Sequence, residues 1–244
     1  MERETSLRER LIDVGVDLVM TDGPASLGLR EIARRAGVSH GAPRRHFPTH
    51  HALLSAIARR GFADLGARFA AATSSAASPR GQLEALARTY LRYALEHRGM
   101  FELMFRHDLL DSETHTSDLP PLRESTLPLF THIVELVTRD LAEHAAPMSC
   151  TSIDAALPPA VTAMALWTNL HGVAQLWAWG SLQLALGAKS PGDGPESDRL
   201  DQPDRADQPD RADLPDRADL LDPSERLDRL VTAVLDAHLS PTHS

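Results

Sequence analysis

The sequence predicts an all-α protein, and three observations point there. Apolar residues recur at three- and four-residue spacing through most of the chain. The breaks between these segments carry serine, threonine, glycine and proline where helices start and stop, and no stretch alternates as a half-buried strand does. At 244 residues the chain is long enough for one or two domains with a real core. About nine helices are expected.

Leu7, Leu11, Val14 and Leu18 stand at i, i+4, i+7 and i+11, one face of a first helix that ends near Asp22-Gly23-Pro24. A short second helix spans about Leu29 to Ala36, then Gly37-Val38-Ser39, then a very short third helix to about His46. Thr49 can cap a long fourth helix carrying Leu53, Leu54, Ile57, Phe62 and Phe69, which ends in the small residues around 73–78. Ser78-Pro79 reads as an N-cap followed by proline at the first position of a helix through His97. Further helices are expected at 99–107, 121–144 and 158–187. The last, Pro223 to Leu239, opens on Asp222-Pro223-Ser224-Glu225, a capping-box spacing.

Between the last two helices lies a tandem hexapeptide, DQPDRA at 201–206, DQPDRA at 207–212 and DLPDRA at 213–218. Pro203, Pro209 and Pro215 would interrupt any helix and the repeat offers almost nothing to bury, so about 190–221 is expected to be a disordered insert. Its reach lets the flanking helices pack side by side.

Charge first argues against nucleic acid: 34 acidic against 25 basic residues, a net −9. The distribution reverses that inference. Residues 1–62 hold ten arginines against seven carboxylates, while residues 193–228 hold thirteen carboxylates against five arginines. A locally basic head on an acidic body can still meet phosphate, because short-range contacts survive screening. The single Cys150 allows neither an internal disulfide nor a cysteine zinc cluster; an inert thiol is the simpler reading, a redox sensor the alternative. No apolar run of membrane-spanning length is present and the start MERETSLRER is charged, so a cytoplasmic protein without a membrane partner is expected. HExxH and GxxxxGK are missing, so neither an enzyme nor a resident metal or cofactor is expected.

Residues 27–47, LGLREIARRAGVSHGAPRRHF, carry the physics of a helix-turn-helix. Leu29, Ile32, Ala33 and Ala36 supply a small apolar face that a second helix can cross closely. Gly37 permits the sharp turn, Val38 plugs the angle, and Ser39 can cap a recognition helix reaching His46, with Phe47 as anchor. The expected DNA contacts are Arg30, Ser39, His40, Gly41, Arg44, Arg45, His46 and His50, whereas Arg34, Arg35 and His51 are read as solvated surface.

This stretch resembles the DNA-binding domain of the TetR family of bacterial transcriptional regulators. The shared pattern is Leu29-Arg30-Glu31-Ile32-Ala33-Arg34-Arg35-Ala36-Gly37-Val38-Ser39, then His46-Phe47-Pro48, within a likeness covering about residues 7–65. Arg44 stands where the family usually has an aromatic residue, and His50 where it usually has a phosphate-binding lysine. Arginine still reaches phosphate but loses the stack, and a neutral histidine donates a weaker contact.

The resemblance implies a head over residues 1–50, a connecting fourth helix to about 75, and a helical body over 76–244 that binds an effector and dimerises. Leu166-Trp167-Thr168-Asn169-Leu170-His171-Gly172 is similar to the signature of the WHG-type C-terminal subclass. Met100, Phe101, Met104 and Phe105 offer a soft aromatic surface, and with Trp167 and His171 form the expected effector pocket. Ordinary core packing is the alternative for each Met and Phe. His171 could bond a ligand or satisfy a buried carbonyl. The helix at 160–186 and the final helix, with Leu227, Leu230, Val231, Val234, Leu235 and Leu239, are expected to form the dimer interface. The function that follows is a homodimeric repressor on a palindromic operator, released by a small, largely apolar effector. Two alternatives stand beside it: an interaction module with a weakened DNA head, and a small all-α enzyme.

Overall fold

The protein is described by a computed structural model, which covers residues 6–106, 110, 122–144, 157–182 and 223–239. The described residues form an all-helical fold with no strand. In chain order the α-helices are α1 (Leu7–Asp22), α2 (Leu29–Arg35), α3 (His50–Thr73), α4 (Pro79–Glu96), α5 (Arg98–Phe105), α6 (Arg123–His144), α7 (Pro159–Ala178) and α8 (Pro223–Leu239). The hexapeptide insert, Cys150 and the Asp222 cap lie outside the described residues.

Local chemistry sets the boundaries. Side chains of Ser6, Thr49 and Ser78 accept hydrogen bonds from the backbone N–H groups of Glu9, Ala52 and Gly81, capping α1, α3 and α4. Each satisfies a donor that a helix start leaves orphaned. Gly37 takes φ +67°, a conformation that favours glycine, which lets the chain turn sharply after α2.

The third helix expected from the sequence is a correction. Instead of an α-helix through His46 the chain forms one 3-10 turn, Pro43–Arg45. Ala42, Arg45 and His46 donate to the carbonyls of Ser39, Ala42 and Pro43, each three residues back. Pro43 has no N–H to give to Ser39, so the four-residue ladder cannot start there. Ser39 consequently caps no helix.

Helix α4 is the hub of the body, packed against α3, α6, α7 and α8. Its buried residues Leu83, Leu86, Ala87, Tyr90, Leu91 and Ala94 run along a helical stripe. Helix α8 docks here through Leu227, Val231, Leu235 and Leu239, all buried. Arg88 clips it from one side with Nε 2.7 Å from Asp228, and Arg80 from the other, donating to the Leu235 carbonyl at 3.2 Å and to Asp236. These exposed ion pairs contribute little; burial of the four apolar side chains holds the helix. Most of the face expected to meet a second subunit is therefore covered within the chain, leaving Leu230 and Val234 half-buried.

Head and body meet where α5 crosses the C-terminal end of α1. A Cβ on Gly99 would stand 2.2 Å from the Val19 carbonyl oxygen, a backbone atom that cannot step aside. Gly99→Ala should therefore cost about 1–3 kcal/mol by overpacking. Urea unfolding of the two proteins measures this, and equal midpoints would mean that the head does not rest on α5.

Candidate nucleic-acid interface and apolar cavity

In the head, Leu11, Leu18, Ile32, Leu53 and Ile57 form a closed core, with Phe47 anchoring the chain just after the 3-10 turn. The Arg8 guanidinium lies 5.3 Å from the Phe47 ring centre, on the way into α1. Pro43 is buried, so the turn is pinned from below while its neighbours face outward. Arg30, Ser39, His40, Gly41, Arg44, Arg45 and His46 are all exposed around it.

The arginines divide into two groups. Arg34 places Nε and Nη2 at 2.8 and 2.6 Å from the two oxygens of Glu31, and Arg35 reaches Glu31 at 2.9 Å and Asp22 at 2.7 Å. These two are spent on the protein's own carboxylates. Arg30, Arg44 and Arg45 make no such bond among the described residues, which leaves their guanidinium groups available to an anion.

His50 has a partner within the head. It opens α3, and its Nε2 bonds the Leu27 carbonyl, tying the start of that helix to the loop before α2. With Nε2–H committed, a neutral ring offers only an acceptor at Nδ1; donation to a phosphate as well requires the imidazolium.

The body holds an apolar cavity of about 260 Å³, open on one side. Phe62, Leu65 and Phe69 of α3 form one wall and Leu83, Leu86 and Tyr90 of α4 the next. Leu129, Phe130 and Ile133 of α6 face Trp167 and Leu170 of α7, with Phe105 of α5 between them. Leu127 and Met164 also line it and are about half exposed, so they mark its mouth.

Two of the six residues expected in a pocket, Phe105 and Trp167, line this cavity. Met100, Phe101 and Met104 do not: they are buried in the packing around α5, where the Tyr93 hydroxyl donates to the Met104 sulfur at 3.7 Å. The compact space between α3 and α5 takes Met100 and Met104 as core, while Phe101 packs against Tyr90 and His171. His171 backs the wall, with Nδ1 2.7 Å from the Tyr90 hydroxyl oxygen, so its partner is a side chain and not a carbonyl. Its ring lies 4.6 Å from that of Phe105 and 5.6 Å from that of Trp167. Burial pushes the Tyr90 hydroxyl up and the His171 imidazolium down from their ordinary ranges, so both are neutral.

Tyr90 and the α6 wall escaped the sequence reading. A signal for Tyr90 existed, because Leu83, Leu86 and Tyr90 follow i, i+3 and i+7. Nothing local marks Phe130 or Ile133, whose role depends on where α6 lands.

A helix-turn-helix head on an all-helical body with an apolar cavity defines a class of bacterial regulators. Residues 11–57 match the family model for bacterial regulatory proteins of the tetR family, and residues 83–191 match the tetracyclin repressor-like C-terminal domain. The chain belongs to the TetR family of transcriptional regulators, which are DNA-binding proteins and not enzymes. No curated protein matches it. Among solved structures it is similar to a protein of unknown function from Rhodococcus sp. RHA1, 26% identical with a TM-score of 0.64 over 98% of this chain and 96% of that one. It also shares its fold with a TetR-family transcriptional regulator from Streptomyces coelicolor, 18% identical, TM-score 0.56, over 98% of this chain and 83% of that one.

Glu31 provides a direct check on the head. Hydrogen bonds from Arg34 first and Arg35 second hold its carboxyl at about 2, against 4.5 for an unperturbed side chain. A depressed folded-state pKa contributes stability above about 4.5 that is lost as the pH falls toward about 2. Carboxyl-carbon NMR should place the Glu31 midpoint near about 2, and Arg34→Ala should move it toward 4.5. An unperturbed midpoint in the wild type would rule out the pairing.

Proposed function

We propose that this chain is a ligand-responsive repressor that binds a palindromic operator as a homodimer in the cytoplasm and is released by a small, largely apolar effector. The observation that carries the reading is the division of the head's arginines. Arg34 and Arg35 are held by Glu31 and Asp22, while Arg30, Arg44 and Arg45 stand exposed around a turn anchored by Phe47. Arginine forks serve phosphates and guanine edges equally, and Gly41 lets the backbone come close to a groove. His40, His46, Ser39 and His50 complete the proposed contact surface.

Helix α5 supplies the link a release mechanism needs. Its last residue, Phe105, lines the cavity, and its second, Gly99, rests against α1. An effector that fits one position of α5 better than another shifts the population of head positions with it.

A partner surface is supported by α7. Val161, Met164, Leu176 and Trp179 are 47%, 46%, 44% and 67% exposed along one side of this helix and the residue after it. A methyl group on Gly172, on the same helix, would touch nothing among the described residues. Contiguous apolar surface of this kind marks an association face, and the space at Gly172 admits a close second helix. Leu230 and Val234 extend the face from α8.

A second reading, an interaction module with weakened DNA binding, draws on the single 3-10 turn that replaces a recognition helix. Selection from random duplexes followed by fluorescence anisotropy separates the two. The repressor reading expects a palindromic site whose affinity falls steeply with salt. Arg44→Ala plus Arg45→Ala should cost about 1–3 kcal/mol for each lost base contact, or flatten the salt slope by about one for each lost phosphate contact. Selection of no sequence by a folded wild type would favour the interaction module. On gel filtration Leu176→Glu plus Trp179→Glu should elute as a helical monomer, whereas an intact dimer would remove α7 from the interface.

A further inference from the structure

Taking the cavity as the effector site, we propose that its ligand is an uncharged molecule of one or two rings bearing a single hydrogen-bonding group, such as a hydroxyl, held by Tyr90. Size and polarity both lead there.

An apolar protein cavity of about 150 Å³ holds benzene. By proportion, about 260 Å³ takes roughly ten non-hydrogen atoms, the bulk of a fused bicycle. The walls are aromatic and aliphatic, and among the described residues none that lines the cavity carries a charge. Of its few polar side chains, Thr126 already donates to the Arg123 carbonyl. An ionised ligand would lose its water and find no counter-charge, the costliest form of burial.

The remaining polar capacity can be counted at the Tyr90 oxygen. A hydroxyl has one proton and two lone pairs. The 2.7 Å contact to His171 Nδ1 takes either the proton or one lone pair, depending on the imidazole tautomer. In both cases the oxygen keeps capacity for a ligand: its lone pairs when Tyr90 donates to His171, its proton as well when His171 donates to Tyr90. Gln175, with its amide nitrogen 3.4 Å from His171 Nε2, can support either tautomer by turning its amide. The cluster thus accommodates one neutral group, hydroxyl or carbonyl, on an otherwise apolar ligand.

Isothermal titration of the full chain, without DNA, tests this with four probes: naphthalene, 1-naphthol, and the equally shaped pair 1-naphthamide and 1-naphthoate. The expected order is 1-naphthol about tenfold tighter than naphthalene, the worth of one hydrogen bond, and 1-naphthamide at least about a hundredfold tighter than 1-naphthoate. Tyr90→Phe should erase the naphthol advantage and leave naphthalene within about twofold, which also shows the cavity intact. Binding of 1-naphthoate as tight as 1-naphthamide, or a naphthol advantage that survives Tyr90→Phe, overturns the proposal while leaving the effector site standing. If none of the four binds a folded protein, the reading of the cavity as an effector site falls with it.

Discussion

One continuous helix belongs to two hydrophobic cores, and the rest of the architecture depends on that constraint. Helix α3 spans His50–Thr73, about 36 Å of rigid rod. Its first half, from Ala52 to Ala58, is buried throughout and closes the head. Its second half turns Phe62, Leu65 and Phe69 to the cavity. A helix interior has no soft dihedral between these halves, so the head cannot be placed independently of the cavity wall. Helix α5 braces the same rod, and its cavity-lining Phe105 packs edge-on against Phe62 with ring centres 5.7 Å apart.

Electrostatics then sorts the surface that this framework presents. Among the head's arginines, Arg34 and Arg35 of α2 are held by Glu31 and Asp22. Self-pairing of this kind narrows nonspecific attraction, and the acidic excess elsewhere in the chain works in the same direction. In the body the same logic runs toward neutrality. Burial keeps Tyr90 and His171 uncharged, which suits a cavity whose walls offer no ion a partner.

Chain order alone determined what depends on neighbours within a turn or two. The caps at Thr49 and Ser78, the turn at Gly37, the anchor at Phe47 and the bounds of α1, α2 and α4 follow from side chains acting on backbone groups three or four residues away. The tetR-type pattern is legible for the same reason: a helix-turn-helix is a short local motif.

Tertiary structure decided what depends on distant partners. A helical stripe says that a face will be covered without saying by what; on α8 the cover is α4 and α7 of the same chain, while α7 keeps an exposed stripe of its own. Met100 and Met104 have the chemistry of a pocket, yet the closeness of α3 to α5 makes them core. Which arginines remain open, and that Tyr90 joins His171 across 81 residues, rest on where whole helices come to lie. Apolar burial is non-directional, so the sequence states how much surface must be hidden, and only the packed helices settle against whom.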